Sequence, residues 1–315
     1  MTRFIQANGL RMHIIDEGTG PLVVLLHGFP ELSSTWHHQI RALTDAGYRV
    51  VAPDQRGYGQ TDCPEREDAY TQLHLVGDVI GLLDALGEAR AVVIGHDWGA
   101  PVAWNAALLR PDRVRAVGGL SVAPRPRAAF PPTTAMRRAF GDSYYQLYFQ
   151  QPGVAERDFS DDVRTGLRKM IHAASGDVPP DQRWQPVLRG ARFFDGMPDP
   201  GAAPAWLGEA RLDELTEAFT RTGFRGGLNW YRNLDRSWEL MGAFAGFTIR
   251  QPALFITGDA DPGYPASRPA IDALPQTLPA LRKSLVLAGA GHWIGEERPE
   301  EVKAALLGFL AELPG

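Results

Sequence analysis

The sequence is poor in cysteine and has no long apolar run. Its one cysteine, Cys63, cannot form an internal disulfide, which fits a reducing compartment. Cys63 has no basic residue beside it, so we expect it to be structural or incidental rather than reactive. The apolar run Leu22–Leu26 is far too short to span a bilayer, and the N-terminus lacks the apolar region of a signal peptide. We therefore expect a cytoplasmic protein without a membrane span.

The sequence also lacks a strong charge of either sign. Lysine and arginine number 32 against 37 aspartates and glutamates, which gives a formal net charge of −5. This mild charge gives no reason to expect nucleic acid or an anionic membrane as a partner. At 315 residues the chain is long enough for one core with an inserted subdomain. A homodimer is compatible with the sequence, which leaves the oligomeric state open.

The histidines lack the ligand spacing of a metal site. We find no convincing spacing to cysteine or carboxylate ligands around six of them, which are His13, His27, His37, His38, His74 and His172. His37 and His38 are expected on an early helix, where adjacent residues do not share a face. We therefore predict no metal site.

Strands and helices are predicted to alternate at both ends of the chain. Pro21–Leu26 and Ala91–Ile94 are continuous apolar runs, typical of strands buried on both faces, and Leu73–Leu86 has helical apolar spacing between them. The alternation resumes at Pro252–Thr257 and ends with a helix after Pro299. This order predicts an α/β fold with a mostly parallel sheet flanked by helices, formed by residues 1–124 and 250–315.

The middle of the chain breaks this pattern. Residues 125–249 are rich in arginine, proline, glycine and aromatics, and their helical stretches, such as Gly141–Gln150 and Phe224–Leu234, are short. No strong buried strand is apparent there. We predict that residues 125–249 form a helical cap inserted between strands of the core.

Asp97 stands where a strand is predicted to turn sharply into a helix. The segment reads Gly-His-Asp-Trp-Gly, which has the spacing of a nucleophile elbow with aspartate in the serine position. Glycines flank such a turn because it leaves no room for side chains, and the start of a helix favours an anion. Asp97 is therefore the candidate nucleophile.

Two further residues follow late strands. His292 lies in Gly-Ala-Gly-His-Trp, and Asp261 follows the preceding strand, so the chain order is nucleophile, acid and base, as in the α/β-hydrolase fold. Asp259, two residues earlier, is the alternative acid. The loop His27-Gly-Phe-Pro30 can aim a backbone N–H at a developing oxyanion, and we assign that role to the amides of Phe29 and Trp98.

Together these motifs resemble the soluble epoxide hydrolases of the α/β-hydrolase fold, and the resemblance covers nearly the whole chain. It extends into the insertion, where Tyr-Tyr-Gln-Leu-Tyr-Phe-Gln and Leu-Asn-Trp-Tyr-Arg-Asn are similar to the segments that carry the family's ring-opening tyrosines. The resemblance assigns these roles to Tyr145 and Tyr231. Tyr144 and Tyr148 remain alternatives.

The resemblance implies a reaction without a cofactor. Asp97 would attack an epoxide carbon of a small hydrophobic substrate while the two tyrosines protonate the ring oxygen. His292, oriented by Asp261, would then activate water to hydrolyse the ester to a vicinal diol. The biological role, whether detoxification, lipid-epoxide turnover or biosynthesis, is left open.

Two other functions fit parts of the sequence. A haloalkane dehalogenase shares the aspartate nucleophile, but many carry asparagine where this chain has Phe29, and a halide needs no proton from paired tyrosines. A catalytically retired binding protein could share the fold, because fold alone does not determine function. A pure binder, however, has no need of a complete catalytic constellation.

Overall fold

The computed structural model describes residues 1–184, 186, 187 and 189–314. The strands in this part of the chain are β1 (Thr2–Ala7), β2 (Leu10–Glu17), β3 (Leu22–Leu26), β4 (Arg49–Pro53), β5 (Ala91–His96), β6 (Val114–Leu120), β7 (Ala253–Gly258) and β8 (Leu281–Leu287). They form one sheet in the order β1-β2-β4-β3-β5-β6-β7-β8. The pairs β1–β2 and β2–β4 are antiparallel, and all the other neighbours are parallel.

The α-helices surround this sheet. They are α1 (His37–Asp45), α2 (Gln72–Leu86), α3 (Gly99–Leu109), α4 (Pro132–Phe140), α5 (Tyr145–Tyr148), α6 (Val154–Asp161), α7 (Val163–Ala173), α8 (Glu209–Thr222), α9 (Arg225–Arg232), α10 (Leu234–Leu240), α11 (Tyr264–Asp272), α12 (Leu274–Thr277), α13 (Ile294–Glu297) and α14 (Pro299–Ala311). None of the helices in the described ranges is long and apolar enough to cross a membrane.

The strands at the centre of the sheet are apolar because helices cover both faces. All five residues of β3 and all six of β5 and β7 are buried. Val24 and Leu26 of β3 join one hydrophobic cluster, whereas Val23 and Leu25 join a second cluster on the opposite face. The predicted α/β-hydrolase fold with a mostly parallel sheet is confirmed. Strand β1 was not predicted, since its mostly exposed side chains give no buried-strand pattern.

The chain between β6 and β7, which we call the helical insertion, contributes helices α4 to α10. No strand occurs among its described residues. The expected helix over Gly141–Gln150 is wrong in its bounds. Gly141, with φ of +73°, ends α4, and within residues 141–150 only Tyr145–Tyr148 are α-helical. The left-handed backbone that glycine allows stops one helix at the place where another was expected to begin.

Helix α9 reaches the loop after β4 through a contact between two glycines. A Cβ added to Gly226 would lie 2.2 Å from the carbonyl oxygen of Gly57, which is too close for any side chain. This close approach brings α9, which carries Tyr231, down onto the end of the sheet.

We expect Gly226→Ala to lower the free energy of unfolding by about 1–3 kcal/mol, because the added methyl overpacks a backbone contact. Gly308→Ala is the matched control, since the same added methyl on α14 meets no atom within 4 Å. That change should raise the free energy of unfolding by roughly 0.5–1 kcal/mol, as alanine is the better helix residue. Urea unfolding of both variants measures the difference, and equal stabilities would contradict the glycine contact.

Candidate active site

Asp97 occupies a sharp turn between β5 and α3. Its backbone is left-handed, with φ of +48°, which is uncommon for a residue other than glycine. A Cβ on Gly95 would lie 2.0 Å from the carbonyl oxygen of Gly99, and a Cβ on Gly99 would lie 2.1 Å from that of Leu26. The two glycines are therefore required by the turn, as the Gly-x-Asp-x-Gly spacing predicts.

The loop after β3 holds one oxygen of the Asp97 carboxylate. The backbone N–H of Phe29 donates a hydrogen bond of 2.8 Å to Asp97 Oδ1. This approach requires Gly28, because a Cβ there would lie 2.3 Å from the Cβ of Asp97. Trp98 directly precedes α3, where backbone N–H groups have no acceptor within the helix. The sequence assigned the amides of Phe29 and Trp98 to a developing oxyanion. Both amides belong to the two segments that flank the Asp97 carboxylate.

His292 lies between two carboxylates. Its Nε2 is 3.4 Å from Asp97 Oδ2, and its Nδ1 is 2.9 Å from Asp261 Oδ2. Asp261 Oδ1 accepts the N–H of Gly263 at 2.7 Å, which fixes the carboxylate in the loop after β7. The alternative acid, Asp259, instead accepts the N–H of Gly289. The structure therefore places Asp261, and not Asp259, against the imidazole.

The two carboxylates control the protonation of His292. Burial disfavours the charged imidazole, but the charges of Asp261 and Asp97 outweigh it and raise the pKa of His292 well above its ordinary value. Burial also opposes ionisation of Asp261, yet the His292 imidazole lowers the pKa of that carboxyl. The arrangement favours an imidazole that holds its proton beside an ionised Asp261.

Tyr145 and Tyr231 approach one another above the Asp97 turn. Their ring centroids are 6.2 Å apart, and the ring of Tyr231 meets that of Trp98 edge-on at 4.9 Å. Tyr145 also packs against Trp184, with centroids 5.1 Å apart. Burial raises the pKa of both phenols, and the Asp97 charge raises it further, so both hydroxyls are protonated at neutral pH.

The alternative tyrosines have other contacts. Tyr144 stacks on Phe140, with ring centroids 4.6 Å apart. The hydroxyl of Tyr148 donates a hydrogen bond to Asp158, and its ring packs against Phe193. Tyr144 adjoins Tyr145 and remains near the site, whereas Tyr148 is bound within the helical insertion.

A second acid–imidazole pair, which the sequence motifs did not predict, lies behind this site. His96 Nδ1 lies 2.8 Å from Glu31 Oε2, and His96 Nε2 lies 2.8 Å from the carbonyl oxygen of His292. Burial opposes ionisation of Glu31, but the charge of His96 lowers the pKa of Glu31 to about 2. The pair therefore anchors the backbone of the His292 loop. The sequence gives one local indication of the pair. Glu31 directly follows Pro30 of the loop after β3, and His96 directly precedes Asp97.

The chain as a whole is similar to known proteins. Residues 21–299 match the family described as alpha/beta hydrolase fold. Epoxide hydrolase A of Mycobacterium tuberculosis is 48% identical over 99% of this chain and 97% of its own length. Epoxide hydrolase 3 of Siraitia grosvenorii is 42% identical over 97% of this chain and 96% of its own. The crystal structure of Epoxide Hydrolase A from Mycobacterium thermoresistibile superposes with a TM-score of 0.94 at 49% identity, covering 100% of this chain and 99% of that one.

Replacing Asp97 by alanine should lower the pKa of His292, because one of the two charges that favour the imidazolium is removed. Titration of the His292 ring followed by NMR measures the change. Asp259→Asn is the matched control: it also removes a carboxylate near the late loops, but one that binds the Gly289 amide, so the pKa of His292 should not move. An equal fall in both variants would contradict the direct Asp97–His292 interaction.

Proposed function

The chain belongs to the epoxide hydrolases of the α/β-hydrolase fold, and on this basis we propose that it converts an epoxide and water to a vicinal diol through an ester on Asp97. One observation carries the proposal. The Asp97 carboxylate is held by a backbone N–H at 2.8 Å on one oxygen and faces the His292 imidazole at 3.4 Å with the other. A carboxylate placed in this way is suited to attack a carbon and then to be released by a water that the imidazole activates.

In the first step, Asp97 Oδ2 attacks a ring carbon of the epoxide. Oδ1 already accepts the Phe29 N–H, so Oδ2 is the oxygen left for the new bond. As the carbon–oxygen bond to Asp97 forms, the ring bond from that carbon to the epoxide oxygen breaks. Tyr145 and Tyr231 hydrogen-bond this oxygen, and one of them supplies its proton.

In the second step, the ester is hydrolysed. Formation of the ester removes the negative charge of Asp97, which is one of the charges that raise the pKa of His292. The imidazole then loses its proton to solvent more readily and can take one from water, while Asp261 orients the ring. Hydroxide attacks the Asp97 carboxyl carbon, and the charge develops on the oxygen held by Phe29.

The remaining steps balance the reaction. The N–H groups of Phe29 and Trp98 stabilise the tetrahedral oxyanion, each worth about 3 kcal/mol. The ester bond breaks, and the leaving alkoxide receives the proton held by His292. The new Asp97 carboxyl gives its proton to the now neutral imidazole, and the tyrosinate is reprotonated from solvent. The diol leaves with Asp97 as a carboxylate again, and no cofactor takes part.

In this proposal the chain is divided into a catalytic core and a cap. Residues 1–124 and 250–315 would form the catalytic core, and residues 125–249 the cap that carries both tyrosines. The aromatic rings around these tyrosines, Trp184 and Phe149 among them, fit a hydrophobic epoxide. The cytoplasmic location remains a prediction, and the oligomeric state stays open. A dehalogenase is less suited to the site, since a leaving halide makes no use of two protonated phenols.

Asp97→Ala should abolish diol formation, and His292→Gln should stop turnover after the first step and accumulate the ester. Intact-protein mass spectrometry of His292→Gln incubated with styrene oxide should show the added mass of one substrate. His172→Gln, on the helical insertion, is the matched histidine control and should turn over normally. Unchanged turnover in Asp97→Ala or in His292→Gln would show that the role of that residue is wrongly assigned.

Tyr145→Phe and Tyr231→Phe should each slow ester formation, and the double change should slow it by about 10²–10⁴-fold, the usual worth of general acid catalysis. Stopped-flow measurement of the first step separates this effect from hydrolysis. Tyr148→Phe removes a hydroxyl that binds Asp158 and should leave ester formation unchanged. If Tyr144→Phe slows ester formation as much as Tyr145→Phe does, the first tyrosine is wrongly assigned.

A further inference from the structure

A cluster of potential metal ligands lies outside the site described above. His37 and His38 begin α1, and Glu296 belongs to α13, four residues after His292. One ligand atom from each of the three residues lies within 4.8 Å of the others. We propose that His37, His38 and Glu296 bind a divalent transition-metal cation with the preferences of zinc. The proposal does not depend on the function proposed above.

The spacing of the ligand atoms suits such a cation. His37 Nδ1 is 3.6 Å from Glu296 Oε1, and His38 Nε2 is 3.9 Å from Glu296 Oε2. Ligands at the usual zinc distances of about 2.0–2.2 Å in a tetrahedron are roughly 3.4 Å apart. These two contacts involve different oxygens of Glu296, and one ligand atom from each residue lies within 4.8 Å of the others. The side chains therefore need to close by up to about 1.4 Å to reach a common ion. Two imidazoles and one carboxylate are also a ligand set that zinc commonly takes, with the fourth position open.

Glu296 is a buried acid whose charge is poorly compensated. Its side chain is 5% exposed, and within the described ranges Oε2 receives no hydrogen bond. Arg211 and Thr35 both donate to the other oxygen, Oε1, at 3.3 and 3.5 Å. A buried carboxylate oxygen without a donor is costly, and a bound cation would remove that cost. This oxygen is the second, independent indication of a ligand at the cluster.

The two histidines are open to solvent on one side. Their side chains are 45% and 36% exposed, so an ion can enter between them. Each imidazole offers a ring nitrogen as a ligand atom, and these nitrogens lie within 4.8 Å of a Glu296 carboxylate oxygen.

These rings correct an expectation drawn from the sequence. Adjacent residues were expected to point to different sides of the helix, yet the ring centroids of His37 and His38 are only 3.9 Å apart. They stand at the first turn of α1, directly after the 3₁₀ turn Ser33–Trp36, where the side chains of neighbours can still converge. The proposed site therefore revises the prediction that the chain has no metal site.

Arg211 is the charge that a metal would have to displace. It belongs to α8 and donates to Glu296 Oε1 at 3.3 Å, and it also pairs with Glu214 at 2.9 Å. Because Arg211 keeps Glu214 as a partner, it can give up the longer contact without becoming an isolated charge. Metal binding would thus exchange a contact between α8 and α13 for one between α1 and α13.

The test uses the full, untagged chain and zinc chloride as the probe. Equilibrium dialysis after treatment with a chelator should show one zinc bound per chain. His37→Gln and His38→Gln should each weaken binding at least about 10-fold, since even residues that only support metal ligands are worth that much. The side chains of His37 and His38 are partly exposed, so these two variants should fold. Glu296→Gln tests the contribution of the buried ligand.

Controls separate this site from other histidines and acids. His172→Gln should bind zinc as the unmodified chain does. A crystal soaked in zinc chloride should give an anomalous peak between His37, His38 and Glu296. Failure to retain zinc, or equal affinity in the unmodified chain and His38→Gln, would overturn the proposal, as would a peak at His292 alone.

Discussion

The contact between the Asp97 turn and the loop after β3 sets the geometry of the whole site. Strands β3 and β5 are parallel neighbours with Leu26 opposite Gly95, so the segments that leave them emerge side by side. They approach so closely that Gly28 and Gly99 have no room for a side chain. Only at this distance can the Phe29 amide reach Asp97. The left-handed backbone at Asp97 is tolerated because these surrounding contacts fix it.

Phe29 links this contact to the helical insertion. Its amide binds Asp97, while its ring meets, edge-on, five aromatic rings from the insertion, those of Phe149, Phe159, Phe219, Phe224 and Tyr231. Aromatic pairs of this kind add packing energy beyond the area they bury. The packing of the insertion and the position of the proposed oxyanion donor therefore depend on the same residue.

Buried charge is organised around His292 in two layers. Asp261 and Asp97 contact its ring, and the Glu31–His96 pair holds its backbone carbonyl. Its backbone N–H donates to Ala174, just beyond α7, so the loop is also tied to the insertion. Because every buried carboxylate in this set has a partner, ionised groups are tolerated at low exposure. Glu296, with one oxygen lacking a donor among the described residues, stands apart from this pattern.

The sequence by itself determined the features that depend on neighbouring residues. Buried strands such as β3 and β5 appear as continuous apolar runs, and the glycines around Asp97 mark a turn whose sterics are local. The chain order of Asp97, Asp261 and His292 follows from strands that end at one edge of a sheet. These features gave the fold and most of the candidate site.

Only the tertiary structure decided what depends on residues far apart in the chain. Asp261 and Asp259 differ by two positions, and the arrangement of the loops alone selects which meets His292. Glu31 and His96, 65 residues apart, pair because two parallel strands bring their ends together. His37, His38 and Glu296 meet for a similar reason, where the start of α1 packs against α13. No periodicity along the chain encodes such contacts, because they arise from the packing of whole elements.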